Sequence, residues 1–229
     1  MLKQEVTKKV PVIAAIGASI TEGAGASNMQ TESYPAQLQN ALGGDYKVLN
    51  FGKSGRTVRR GLPSYDSAPL PWIENRQFEG VKEAVPDIAI INMGTNDSRT
   101  THVPATTVEN FRQAYDYLLD ELYKINSEMR VIVCTVPSTW ENDLAISNDN
   151  IRNIIAPVVR QIAAERGLEL VDLFDITKNK SQLTCDGVHF TTRGYGMFAK
   201  IFKRVILQGA DALTAEFLAE IDAEYKDIE

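Results

Sequence analysis

The stretch VPVIAAIGASITEG, residues 10–23, decides the fold. Val10 to Ile16 is a near-continuous apolar run, and at Gly17 it breaks into small, polar, turn-forming residues. A run of this kind, not alternating, is how a strand buried on both faces reads. Four more follow: YKVLNF (46–51), DIAIINM (87–93), RVIVCTV (130–136) and LELVDLF (168–174).

Helical patterns separate them. Residues 107–126 place Val108, Phe111, Tyr115, Leu118, Leu119 and Leu122 near the 3.6 period, and 150–166 does the same with Ile151, Ile154, Ile155, Val158, Val159 and Ile162. Pro157 lies inside the second pattern and predicts a kink or a shortened first part. Shorter helices are expected over 34–43 and 192–207. Strands alternating with helices imply an α/β fold, a parallel sheet with helices on both faces. The chain reads as one domain over 1–229, with a helical extension at about 211–228 whose stripe of Leu213, Phe217, Ile221 and Tyr225 should pack on the domain. Residues 60–80 hold three prolines and Trp72 without a clear period, and read as a loop excursion.

In an open parallel α/β sheet, ligands bind beyond the carboxyl ends of the strands. The segments after the first four runs are GASITEG, GKSGRT, GTNDS and PSTW; CDGVHF (185–190) comes later, after the fifth. The chain has two histidines. His102, in SRTTHVPATT, has no acid beside it and reads as a solvated loop residue. His189 has Asp186 three residues before it. In a turn, that spacing lets the carboxylate reach one ring nitrogen and leaves the other for a nucleophile. The pair reads equally as a loop capping a helix from Thr191 or Thr192. Ser19, directly after the first strand, is the natural nucleophile if His189 is its base; its plainer reading is an N-cap serine. Gly55 can bring a bare backbone N–H close to an oxyanion, or simply make a turn. Asn96 can offer a side-chain amide, or make an Asx-turn.

Other chemistries lack their residues. GASITEG has no Walker lysine, GAGAS (23–27) lacks the third glycine of a dinucleotide fingerprint, and there is no GxSxG, HExxH or paired-cysteine spacing. Net charge is −6, so no electrostatic footprint for nucleic acid is expected. Arg56, Arg59 and Arg60 read as a solvated basic face. Cys134, in VIVCTV, reads as a buried thiol, and Cys185 is placed near the site by its neighbour Asp186. No apolar run reaches the roughly 20 residues of a membrane span. The first ten residues lack the apolar stretch of a signal peptide, which fits a cytoplasmic protein, or a periplasmic or secreted one whose signal has been removed. Oligomeric state is not legible.

The order GASIT, NFGKSG, GTND, DGVH resembles the four signature blocks of the SGNH/GDSL hydrolases, over about residues 10–207. The resemblance implies a flavodoxin-like three-layer α/β/α fold with a five-stranded parallel sheet. It implies Ser19 as nucleophile, His189 as base, Asp186 as its orienting acid, and an oxyanion hole from the backbone of Ser19 and Gly55 and the side chain of Asn96. No metal or cofactor is expected. Ala18 stands where the family has an aspartate that helps hold the loop, and Phe190 where it has proline; neither is expected to abolish catalysis.

The subgroup looks like esterases that deacetylate carbohydrates, with a small-molecule or carbohydrate ester as substrate. In that case Trp72 and Tyr65 are candidates for a sugar-stacking face; the plainer and favoured reading of Trp72 is that it anchors its loop to the core. A lipid-directed esterase or thioesterase, and a flavodoxin-like binding module without turnover, remain the alternatives.

Overall fold

The five apolar runs become five strands: β1 (Val12–Gly17), β2 (Lys47–Gly52), β3 (Ile88–Asn92), β4 (Arg130–Thr135) and β5 (Glu169–Asp172). The computed structural model describes residues 9–62 and 70–226, so Tyr65 and the first eight residues lie outside the described part. All strand pairs are parallel and the order is β2-β1-β3-β4-β5. This is the flavodoxin-like order, which reverses direction between β1 and β3. β5 is shorter than its apolar run. Asp172 ends it by accepting the Asp175 N–H with its side chain, and Leu173 already begins a helical turn.

The main helices are α1 (Ser19–Glu22), α2 (Tyr34–Leu42), α3 (Arg76–Ala84), α4 (Val108–Ile125), α5 (Ala156–Arg166), α6 (Thr192–Gln208) and α7 (Ala215–Glu224). Strand side chains alternate between the two faces. Ala14, Ile16, Ala89, Ile91, Val131 and Val133 meet α3, α4 and α5. Ile13, Ala15, Ile88, Ile90, Ile132 and Cys134 meet α2, α6 and α7. Both faces of the sheet are therefore dry, which is why the strand sequences are continuously apolar.

Pro157 sits at the second position of α5, and a π-helical turn, Ile151–Ile155, precedes it. Proline has no N–H to bond back to the previous turn, so the ladder loosens there. The helix α7 is anchored as the stripe implied, with Phe217, Ile221 and Tyr225 buried against the domain.

Three expectations are corrected. The end of the 60–80 segment is helical, because Asn75 begins α3 and only Phe78 and Val81 need burial along it. Two apolar positions are too few to show a period. Arg56 and Arg59 are 2% and 4% exposed, and only Arg60 of that cluster is solvated. Arg59 is satisfied inside by the Thr106 hydroxyl at 2.7 Å and the Pro104 carbonyl at 3.1 Å. His102 is 3% exposed, and burial together with the nearby Arg59 and Arg99 pushes its pKa down to about 4. It is a neutral interior imidazole. Trp72 is 1% exposed, donates its indole N–H to the Phe51 carbonyl at 2.8 Å and meets Phe78 edge-on. It anchors its loop, as the plainer reading of the sequence has it, and presents no stacking face. Among the described residues, no helix is long and apolar enough to cross a membrane.

Candidate active site

Three strands end side by side at one edge, and each hands the chain to a short turn. β1 runs into α1, which begins at Ser19. Ser19 is the first residue of this turn; Ala18 is its cap and makes no side-chain bond. The serine hydroxyl is therefore not spent on capping. β2 runs into a turn through Lys53 and Arg56, closed by the Arg56 N–H on the Lys53 carbonyl at 3.3 Å. Gly55 in that turn has φ +77°, a left-handed conformation that favours glycine. β3 runs into a 3₁₀ turn, Asn96–Ser98.

The fourth segment, residues 185–190, arrives from the loop before α6. It is a tight turn built on Asp186. One carboxylate oxygen accepts the backbone N–H groups of Val188 at 3.0 Å and His189 at 2.7 Å. The other lies 2.6 Å from His189 Nδ1. These bonds hold the Asp186 carboxyl below its ordinary pKa, against the opposing effect of its partial burial. An ionised Asp186 only accepts, so Nδ1 carries the proton and Nε2 is left as acceptor. Nε2 lies 2.9 Å from Ser19 Oγ. Gly187 at the apex has φ +79°, and a Cβ there would come within 2.2 Å of the Glu141 carbonyl oxygen. Only glycine lets the turn pack this closely on the 138–147 loop. Phe190, in the position where proline was the expectation, is fully buried and meets Phe198 at 4.7 Å between ring centres. It fastens the turn to α6, and Thr191 caps that helix through the Gly194 N–H. The capping role and the Asp–His pairing thus coexist. Cys185 is exposed, and its N–H bonds the His189 carbonyl at 2.9 Å, so it is beside the site.

Ser19, Gly55, Asn96 and His189 line one cavity of about 180 Å³. Asp186 stands behind His189, outside the lining. The Asn96 amide is held at both ends: Nδ2 donates to the Arg56 carbonyl at 3.0 Å, and Oδ1 accepts from Arg99 at 3.3 Å. This fixes which end of the amide carries the donors. The second Nδ2 hydrogen is available to a ligand. Sequence reasoning missed the rest of the wall. Leu144 and Ile146 come from the loop after β4, Val188 from the Asp–His turn, and Arg99 from the turn after β3, where it also bonds the Leu144 carbonyl. Arg99 directly follows GTNDS and was in reach of motif reading. Leu144 and Ile146 carry no signal, since aliphatic residues in a loop have no period.

An imidazole poised between a serine hydroxyl and a carboxylate can take the hydroxyl proton as a bond forms to an electrophilic carbonyl. Residues with backbone or amide N–H groups that line the same small space suit an oxyanion. Residues 15–197 match the GDSL-like lipase/acylhydrolase family. The chain belongs to this family. It is 26% identical over 212 residues to an acetylxylan esterase of Xylanibacter ruminicola. The match takes in 85% of this chain and 42% of that protein, so the chain spans less than half the length of this relative. Solved structures with a similar fold include a carbohydrate acetylesterase family member from Sinorhizobium meliloti, with a TM-score of 0.72 at 17% identity, covering 88% of this chain and 99% of that one. An acetyl xylan esterase structure aligns with a TM-score of 0.63 at 23% identity, covering 82% and 96% of the two chains.

Proposed function

We propose that this GDSL-like hydrolase is a serine esterase that removes short acyl groups, acetyl above all, from carbohydrate esters. The observation that carries the reading is the unbroken line Ser19 Oγ, His189 Nε2, His189 Nδ1, Asp186, opening on a cavity of about 180 Å³. Ser19 Oγ attacks the ester carbonyl carbon while His189 Nε2 takes its proton. The carbonyl oxygen becomes an oxyanion and accepts from the backbone N–H groups of Ser19 and Gly55 and from Asn96 Nδ2. Asp186 stabilises the imidazolium and holds its tautomer. The C–O bond to the alcohol then breaks, and His189 returns the proton to the departing alkoxide. A water molecule, deprotonated by His189, repeats the attack on the acyl-serine and frees the acid and Ser19. The net reaction is ester plus water giving acid plus alcohol.

The acyl selectivity follows from size. Leu144, Ile146 and Val188 give the cavity aliphatic walls, and its modest volume suits a short acyl group. The carbohydrate part of the reading is supported by the acetylxylan esterase relative and by the acetylesterase folds. The test is hydrolysis of p-nitrophenyl acetate, butyrate and octanoate, then of acetylated xylo-oligosaccharides, by the wild type and by Ser19→Ala. Acetate should turn over fastest and Ser19→Ala should be inactive. Octanoate preferred to acetate selects a lipid-directed esterase. A mutant as active as the wild type, or no turnover of any ester, leaves a binding module.

A further inference from the structure

The donors assigned to the oxyanion come from three separate chain segments: 17–23, 52–59 and 94–99. The middle one is the weakest by construction. Gly55 has no side chain to pack, a Cβ there would meet nothing within 4 Å, and its φ is positive. Nothing in Gly55 itself fixes where its N–H points. A donor misplaced by about 1 Å can cost on the order of 100-fold in rate.

Two carboxylates hold this segment on either side of the glycine. Glu22, three residues after Ser19 on the same turn, accepts the Ser54 N–H at 2.7 Å on Oε2, and the same oxygen accepts the Ser54 hydroxyl. Asp97, directly after Asn96, accepts the Val58 N–H at 3.0 Å on Oδ2 and the Arg59 N–H at 2.9 Å on Oδ1. Asp97 is fully buried. Asn96 adds a third tie through the Arg56 carbonyl. Bonds to ionised acceptors are stronger than neutral ones. The turn bearing Ser19 and the turn bearing Asn96 thus each send one carboxylate to the segment bearing Gly55.

We propose that Glu22 and Asp97 are positioning residues that clamp residues 54–59 from both ends and thereby set the Gly55 N–H against the oxyanion. This rests on the serine esterase reading. Neither carboxylate touches substrate; each acts through the backbone it holds. The clamp leaves binding of the ground-state ester alone and matters when negative charge builds on the carbonyl oxygen.

The variants are Glu22→Ala, Glu22→Gln and Asp97→Asn, with Ser19→Ala in parallel. The readouts are kcat and KM on p-nitrophenyl acetate and the Ki of methylboronic acid, whose tetrahedral adduct on Ser19 mimics the oxyanion. Glu22→Ala should lower kcat about 10- to 100-fold, leave KM within about threefold, and raise Ki by the factor that kcat/KM falls. Glu22→Gln should recover most of this, because both bonds fall on one oxygen and an amide oxygen can accept both. Asp97→Asn should not be spared, since each of its oxygens takes a different N–H and the amide sets its own NH₂ against one of them. Wild-type kcat and Ki in Glu22→Ala, or equal losses in Glu22→Ala and Glu22→Gln, overturn the clamp while an inactive Ser19→Ala leaves the esterase reading standing. An active Ser19→Ala removes that reading and the clamp with it. If Glu22→Ala does not fold, Glu22→Asp replaces it: one methylene shorter, it withdraws from Ser54, and wild-type kcat in that variant overturns the proposal equally.

Discussion

Truncating Asn96 to alanine separates the chemistry of the site from its architecture. The side chain is buried and makes two bonds, to the Arg56 carbonyl at 3.0 Å and from Arg99 at 3.3 Å. In the proposed mechanism a third bond, to the oxyanion, forms only in the transition state. Loss of one such donor costs about 100- to 1000-fold in kcat, or about 3–4 kcal/mol of transition-state stabilisation. KM should stay within a few-fold, because the ground-state carbonyl draws little on this donor. On stability, the Arg56 carbonyl loses one partner, which costs about 1–3 kcal/mol. For a chain of this length that is a drop in Tm of about 2–12 °C. Kinetics on p-nitrophenyl acetate at 20 °C, with thermal unfolding followed separately, read the two effects independently. Asn96→Asp is the companion variant: it keeps the shape but offers no N–H when ionised, and should be as inactive as Asn96→Ala. A kcat within threefold of wild type in either folded variant refutes the assignment of Asn96 to the oxyanion. A rise in KM with kcat unchanged refutes it too, and would make Asn96 a ground-state binding residue.

Two further outcomes follow from what is buried. Trp72→Phe should cost about 1–3 kcal/mol in denaturant unfolding through the lost indole bond and imperfect filling, with kcat and KM on acetylated xylo-oligosaccharides unchanged; a raised KM on the oligosaccharide alone would return Trp72 to sugar contact. His102 and Asp97 should give opposite pH dependences of stability. His102, with its pKa pushed down to about 4 by burial, Arg59 and Arg99, stays neutral when folded, so its contribution is lost as pH falls from about 6.5 to 4. Asp97, with its pKa pushed up to about 6 by burial against its N–H bonds and Arg59, holds its proton more tightly when folded, so its contribution is present below about pH 4 and is lost as pH rises to 6. Each amounts to on the order of 3 kcal/mol, and in the wild type they offset. Urea unfolding between pH 4 and 7 should therefore show His102→Gln losing stability toward neutral pH relative to wild type, and Asp97→Asn losing it toward acid. Curves parallel to wild type for both variants would sink this account.

What could be read from the residues divides along a physical line. The strands were legible because burial on both faces leaves no polar alternation, so Ile88–Asn92 and Arg130–Thr135 show as apolar blocks. Their parallel pairing follows from the alternation with helices, and the flavodoxin-like five-stranded architecture comes with the resemblance to known hydrolases. The proposed reactive set is legible for a related reason. Ser19, Gly55 and Asn96 each lie within a few residues of a strand end, and the Asp186–His189 contact spans three residues, so its geometry is local. What supports that set is not local. Arg59 finds its partners 45 and 47 residues away, and Asp97 binds backbone 38 and 39 residues back. A charged residue with a distant partner looks, in one dimension, like a charged residue facing water, which is why Arg56, Arg59 and His102 were placed at the surface. The same holds for the walls of the cavity, where Leu144 and Ile146 come from a loop with no period to mark them. A site's reactive groups can be found by pattern because chemistry demands particular residue types at particular spacings. Its positioning groups need only an oxygen or an N–H at the right place, which many residues at many distances can supply, and so only the three-dimensional arrangement identifies Glu22 and Asp97.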